Sequence, residues 1–161
     1  MSISFSASEL INIAIEIERR GIAFYDVMFR STDNGTARDV FQHLADMERG
    51  HIQIFQGMLS EVDKYQPSPN LTQEDDDYLQ SLVDSAVFTD DMVTSEVATQ
   101  ADSDLKALEL AISAERDSII FYYEMRDLIP QRAQATVTEI IAEEKSHLRQ
   151  LSGLKKKLIS T

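Results

Sequence analysis

Residues 14–28 read AIEIERRGIAFYDVM, and residues 111–125 read AISAERDSIIFYYEM. Shifting the chain by 97 positions lays the first stretch over the second and brings identical residues into register. The coinciding residues are Ala14, Ile15, Glu18, Arg19, Ile22, Phe24, Tyr25 and Met28 with Ala111, Ile112, Glu115, Arg116, Ile119, Phe121, Tyr122 and Met125. Short motifs seldom recur in register by accident, so we interpret the chain as two copies of one helical hairpin.

A second motif repeats further along each copy. A shift of 96 positions lays Glu48 and His51 over Glu144 and His147. Residues three apart project from one face of a helix, so each Glu-x-x-His presents its two polar groups together. Each copy therefore contains a Glu, then a Phe-Tyr pair, then a Glu-x-x-His.

Glycine and proline interrupt long stretches in which apolar residues recur at steps of three and four, the period of an amphipathic helix. The pattern predicts helices from about Ser6 to Arg30, Thr36 to Val62, Asp104 to Leu128 and Pro130 to Lys157. Ser6 and Glu9 form a capping box, and Asp39 is predicted to complete a cap that begins at Thr36. The apolar side of the second helix is predicted to contain Val40, Leu44, Met47, Ile54 and Met58.

The predicted fold is all-α, a ferritin-like four-helix bundle built from two αα-hairpins in one domain over residues 1–161. Hairpin 1 covers about 7–62 and hairpin 2 about 103–158, and a crossover over about 63–102 joins them. A connection of this length usually contains structure of its own, and we expect short helices at about 73–87 and 91–100.

Composition excludes several classes of protein. The chain has 15 Lys+Arg against 28 Asp+Glu, a net charge of −13, which argues against binding to nucleic acid. Without cysteine it has no disulfide, thiolate zinc site or iron–sulfur cluster. The N-terminus lacks the features of a signal peptide, and no apolar run reaches the length of a membrane span. We therefore expect a cytoplasmic protein that uses neither membrane nor nucleic acid.

Both copies direct carboxylates inward. Glu18 lies on the same helical face as Ala14 and Tyr25, and Glu115 repeats this position. With the two Glu-x-x-His motifs, a bundle would direct four carboxylates and two imidazoles at its own core. The adjacent arginines point about 100° away from Glu18 and Glu115. Because buried unpaired carboxylates are costly, metal ions are the better compensation.

A Glu from each of two helices and a Glu-x-x-His from each of the other two form the ligand set of a di-iron or di-manganese carboxylate site. Carboxylate and imidazole donors suit Fe, Mn or Zn. The predicted metal ligands are Glu18, Glu48, His51, Glu115, Glu144 and His147.

These motifs, over about residues 7–157, resemble the rubrerythrin branch of the ferritin-like superfamily. The resemblance implies bridging carboxylates at Glu48 and Glu144. It implies terminal ligands at Glu18, Glu115, His51 and His147. It also implies that Tyr25 and Tyr122, our candidate catalytic residues, donate hydrogen bonds to the ligands.

Two features depart from rubrerythrins proper. The chain has no cysteine-bound rubredoxin module, and Ser118 occupies the position of a further Glu used in peroxide reduction. The sequence is closer to the rubredoxin-less, rubrerythrin-like ferritins.

Three functions stay open. The first is an oxidoreductase that reduces H2O2 or O2 with two irons per chain (Mn or Zn as substitutes) and an external donor such as a rubredoxin-like protein. The second is a ferroxidase or iron-handling protein, and the third is a non-catalytic metal-binding module. We also expect a homodimer.

Four polar features near these motifs are assigned no metal-binding role. His43 is expected to be structural or solvent-facing, and Glu16 and Glu143 are expected to be surface charges. The acidic run at 74–77 is interpreted as a solvated helix start.

Overall fold

The computed structural model describes residues 5–62, 72–84 and 104–160, which form five helices. They are α1 (Ala7–Ser31), α2 (Gly35–Val62), α3 (Gln73–Asp84), α4 (Asp104–Leu128) and α5 (Gln131–Ile159). The four long predicted helices and the short helix that begins at residue 73 are confirmed. The helix predicted at 91–100 lies outside the described residues.

The helix starts follow from local side-chain hydrogen bonds. At α1 the predicted capping box forms: the amide of Glu9 donates to Ser6 Oγ at 3.1 Å, and the amide of Ser6 donates to Glu9 Oε2 at 2.8 Å. The predicted cap at Thr36 is wrong. The amide of Ala37 donates to Asn34 Oδ1 at 2.9 Å, so the asparagine of the preceding turn caps α2 instead.

Polar contacts between the hairpins give the helix directions. Tyr25, in the second half of α1, contacts Glu115 at the middle of α4, and Tyr122, in the second half of α4, contacts Glu18 at the middle of α1. Helices α1 and α4 are therefore antiparallel. Similar contacts of His51 with Glu144 and of His147 with Glu48 make α2 antiparallel to α5.

This arrangement confirms the predicted four-helix bundle of two hairpins. Because each hairpin reverses direction once, α2 and α4 run the same way. The end of α2 and the start of α4 therefore lie at opposite ends of the bundle, as in a bundle with one crossover. None of the described helices contains an apolar stretch that could cross a lipid bilayer.

The core is formed by the apolar stripes of the four long helices, with large side chains such as Phe24, Phe41, Phe55 and Phe121 fully buried. On α2 the buried stripe passes through Leu44, Phe55 and Met58. Ile54, predicted to lie inside, is 39% exposed. The face that contains Glu48, His51 and Phe55 turns inward, and this leaves Ile54 at the edge of the bundle.

Adjacent residues on α4 provide a matched test of this core. Replacing the buried Phe121 with Ala is expected to lower the free energy of unfolding by about 3–5 kcal/mol, because it leaves a cavity between helices. Replacing Ile120, which is 40% exposed, with Ala is expected to cost only about 1 kcal/mol or less. Urea unfolding of both variants measures the difference. Equal losses would contradict the assigned orientation of α4.

Candidate metal centre

Six ionisable side chains meet in the middle of the bundle. Helix α1 contributes Glu18, α4 contributes Glu115, and α2 and α5 each contribute a Glu-x-x-His. Each of the six is at most 2% exposed. The sequence identified all six, and the structure brings them together.

The six side chains form two overlapping groups in which the donor atoms lie within 4.8 Å of one another. The first group, which we call the His51 half-site, contains Glu18, Glu48, His51 and Glu144. The second, the His147 half-site, contains Glu48, Glu115, Glu144 and His147. Glu48 and Glu144 belong to both groups, which is the arrangement expected of carboxylates that bridge two ions.

Distances within the His147 half-site resemble those between ligands of one ion. His147 Nδ1 lies 3.4 Å from Glu48 Oε1, 3.6 Å from Glu144 Oε2 and 3.8 Å from Glu115 Oε2. Donors about 2.1 Å from a metal lie roughly 3.0–3.4 Å from their neighbours. Among the described residues, His147 Nδ1 has no hydrogen-bond partner although it is buried. A cation is therefore a better partner for this nitrogen than any neighbouring side chain.

The His51 half-site is more tightly packed. His51 Nδ1 lies 3.0 Å from Glu48 Oε2, 2.9 Å from Glu144 Oε1 and 3.6 Å from Glu18 Oε2. The rings of the two histidines face each other with their centroids 5.7 Å apart. Both imidazoles thus direct Nδ1 at the shared carboxylates.

Two buried tyrosines hold the remaining carboxylates. Tyr25 Oη donates a hydrogen bond to Glu115 Oε1, and Tyr122 Oη donates to Glu18 Oε1. Burial, reinforced by the neighbouring carboxylates, raises the pKa of both phenols well above the ordinary value. Each phenol therefore stays protonated, and each terminal Glu is oriented by the tyrosine of the other hairpin.

The carboxylates have strongly perturbed pKa values. Burial, followed by the negative charge of Glu144, raises the pKa of Glu48 and raises that of Glu115 to about 8. Burial and Glu18 oppose ionisation of Glu144. Close contacts with Glu115 and both histidines outweigh them and lower the pKa of Glu144.

The pKa values of both histidines are also raised, which favours their charged form. Burial disfavours their charged form, but contacts with several carboxylates outweigh burial and raise the pKa of His147 to about 12. The same competition raises the pKa of His51 well above its ordinary value. Protons on the imidazoles thus offset part of the negative charge of the carboxylates. A bound cation would offset that charge once the imidazoles have lost those protons.

One contact of the cluster was not predicted. Glu143, expected to be a surface charge, has a side chain that is 45% exposed, yet its Oε2 lies 2.6 Å from His51 Nε2. The predicted surface position agrees with this exposure, and the prediction did not include the contact with His51 on the neighbouring α2. The signal available in the sequence was the pair of adjacent glutamates, which occurs in the second copy alone.

The other predicted roles agree with the structure where they can be examined. Glu16 is exposed beside Arg19 and Arg20, and His43 is exposed. Glu74, Asp75 and Asp77 are exposed near the start of α3. Ser118 is buried, and its Oγ donates to the carbonyl of Ala114 at 3.0 Å.

Comparisons with known proteins agree with this site. The rubrerythrin family model matches residues 9–155. A crystal structure described as that of a ferritin-like diiron-carboxylate protein from Thermotoga maritima is 36% identical in sequence and superposes with a TM-score of 0.72. The match covers 98% of this chain and 97% of the other. No curated protein matches the chain significantly. Fold, donor set and similarity together fit a dinuclear metal protein.

The perturbed pKa values predict how the stability of the metal-free protein depends on pH. Glu115, His51 and His147 have folded-state pKa values above those of unfolded chains. Such groups stabilise the fold fully below their unfolded pKa, and this contribution is lost as pH rises through the folded pKa. The lowered pKa of Glu144 has the opposite effect on stability, but this effect is confined to pH values below about 4.5. With chelator present, the free energy of unfolding should therefore fall between pH 5 and pH 9.

Urea unfolding at several pH values measures this decline. A Glu115→Gln variant should lose the part of the decline that lies between the unfolded pKa of 4.5 and the folded pKa of about 8, because its side chain does not titrate. Added metal should reduce the decline in the wild type, since it stabilises the deprotonated ligands. Constant or rising stability over this range would contradict the assignment.

Metal loading tests the donor set directly. Glu18→Ala and Glu115→Ala should each abolish normal dinuclear loading, because each removes a donor that belongs to one half-site alone. His43→Ala should load like the wild type, since His43 is exposed on α2. Elemental analysis after desalting measures metal per chain. Equal metal content in all three variants would exclude this cluster as the site.

Proposed function

The chain belongs to the rubrerythrin family, and from that premise we propose that it is an oxidoreductase that reduces H2O2 or O2 at a buried di-iron centre. The observation that supports this proposal most strongly is the pair of half-sites that share Glu48 and Glu144. Two ions held by shared carboxylates can act together on one small oxidant. The buried cluster suits a diatomic or similarly small substrate better than a large organic one.

In this proposal Glu48 and Glu144 would hold both ions, Glu18 and His51 would complete one half-site, and Glu115 and His147 would complete the other. Hard oxygen donors with imidazole accommodate iron in both common oxidation states. Two ferrous ions bound here would supply two electrons and Lewis acidity to the oxidant. Manganese and zinc suit the same donors, but zinc has no redox chemistry and serves only as a substitute.

The protein's own groups prepare the site for this chemistry. Tyr25 and Tyr122 hold Glu115 and Glu18 in place through hydrogen bonds that cross between hairpins. Their raised pKa values keep a proton on each phenol oxygen beside a carboxylate. The aromatic rings of Phe55 and Phe121 pack against Tyr122 and limit the access of water.

Repeated turnover needs a source of electrons. These 161 residues contain no cysteine, so none of them can form a rubredoxin-type relay. We propose an external donor, such as a rubredoxin-like protein, and a homodimer as the working assembly. The net charge of −13 favours a donor that presents a basic surface.

Ser118 favours a second candidate, ferroxidase activity within iron handling. Rubrerythrins proper have a further Glu at this position, used during peroxide reduction. Here the residue is a buried serine that donates to a backbone carbonyl, so it offers no carboxylate to a moving iron. Without that ligand, oxidation by O2 followed by release of ferric iron becomes the competing reaction.

Rapid mixing distinguishes these functions. The protein is loaded with Fe(II) under anaerobic conditions and mixed separately with H2O2 and with O2, while the absorbance of ferric iron is followed. Faster oxidation by peroxide, with repeated turnover once a reductant is added, supports the oxidoreductase. Faster oxidation by O2, with further uptake of iron, supports iron handling.

Two variants provide the controls for this experiment. His43→Ala should behave like the wild type, because its side chain lies on the exposed face of α2. Tyr25→Phe keeps all six donors and removes one orienting hydroxyl, so it should bind iron and oxidise it more slowly. Stoichiometric iron that reacts with neither oxidant would exclude both redox proposals and leave a structural role for the metal.

A further inference from the structure

The outward-facing nitrogens of the two histidines have different surroundings. His51 Nε2 lies 2.6 Å from Glu143 Oε2, within hydrogen-bond distance. His147 Nε2 is buried, and in the part of the chain that the structure describes it has no hydrogen-bond partner. The two half-sites therefore differ just outside the donor set.

The internal repeat shows that this difference is encoded in the sequence. The same shift that lays Glu48 over Glu144 lays Met47 over Glu143. A thioether is a weak hydrogen-bond acceptor and has no charge. The first copy of the hairpin thus lacks the carboxylate that the second copy provides.

The tyrosines and the shared carboxylates are equivalent in the two half-sites. Tyr25 and Tyr122 make equivalent contacts to the two terminal glutamates. Glu48 and Glu144 are shared between both groups. At the inward nitrogens the half-sites differ in spacing, since His51 Nδ1 lies within hydrogen-bond distance of Glu48 and His147 Nδ1 has no hydrogen-bond partner among the described residues. At the outward nitrogens, the contact with Glu143 is found in the His51 half-site and has no counterpart among the described residues of the His147 half-site.

A carboxylate that accepts from the far N–H of a metal-binding histidine has three effects. It fixes the tautomer that leaves the other nitrogen free to bind, it orients the ring, and it raises the basicity of the ligand. Glu143 can do this at low cost, because its side chain is 45% exposed and keeps contact with water.

We propose that Glu143 is a positioning residue that makes the two half-sites unequal, so that the His51 half-site binds a divalent ion first and more tightly than the His147 half-site. The proposal rests on the metal centre described above and deepens it. Loss of such an outer partner typically lowers metal affinity about 10- to 100-fold. A comparable difference between the first and second binding steps is expected in the wild type.

Zinc is a suitable probe because it is diamagnetic and has no redox chemistry. Metal-free protein is titrated with Zn²⁺ by calorimetry, and ring signals of ¹⁵N-labelled histidine are followed by NMR in parallel. His51→Gln and His147→Gln variants assign those signals. The first equivalent of zinc should shift the signals of His51, and the second those of His147.

Two variants change the outer partner in opposite directions. Glu143→Gln should weaken the first binding step about 10- to 100-fold and leave the second step close to its original value. Met47→Glu places a carboxylate at the equivalent position of the other copy and should strengthen the second step. Glu16→Gln is the matched control, because Glu16 is a similarly exposed glutamate that contacts only Arg19 and Arg20 in the described ion pairs.

Urea unfolding of the metal-free variants tests whether Glu143 has only a structural role. If Glu143 acts on metal binding, the Glu143→Gln variant should have the same free energy of unfolding as the Glu16→Gln control. Two equal binding steps, filling of His147 first, or unchanged steps in Glu143→Gln would each overturn the proposal while leaving the dinuclear centre intact. Failure of the wild type to bind any zinc would overturn the centre itself and this proposal with it.

Discussion

The structure depends on the burial of four carboxylates within one helical bundle. An isolated ionised carboxylate in a dry interior is prohibitively costly, and such groups either stay protonated or acquire a compensating charge. Here two imidazoles and two phenols provide partial compensation: burial raises the pKa of Glu115, and contacts with carboxylates raise the pKa of His147. A bound cation would complete the compensation of the carboxylate charge. The arrangement of the four long helices follows from bringing these groups to one level.

The same polar contacts fix how the hairpins dock. Apolar stripes tolerate some sliding, because one leucine or phenylalanine can replace another against a facing helix. Hydrogen bonds from Tyr25 to Glu115 and from Tyr122 to Glu18 do not, since a shift of one turn would break both. Because the later residue of α1 meets the earlier residue of α4 in one contact, and the reverse holds in the other, α1 and α4 must be antiparallel. That direction in turn requires the long connection between α2 and α4.

Much of the fold and of the candidate site could be predicted because the sequence contains the same information twice. A single Glu-x-x-His is weak evidence, but the recurrence of Glu18, Glu48 and His51 in register identified one inward face on each helix. Details that depend on neighbouring helices could not be predicted. Ile54 lies outside the core because the polar pair of α2 sets the inward face. Glu143 contacts His51 because α5 lies beside α2. A single sequence does not reveal which helices are neighbours.

The two copies differ at positions that join the helices of a hairpin and at a position that contacts the metal centre. In the first hairpin Arg49 pairs with Asp26 at 3.0 Å, and in the second the equivalent Lys145 donates to Tyr123 at 2.5 Å. Both contacts tie the two helices of a hairpin together, so this difference leaves the architecture symmetrical. The difference at Glu143 has no such counterpart, because it adds a partner to one histidine. Because the four long helices supply the same kinds of donor to both halves of the centre, the carboxylate of Glu143 beside His51 Nε2 is a difference that lies outside the donor set.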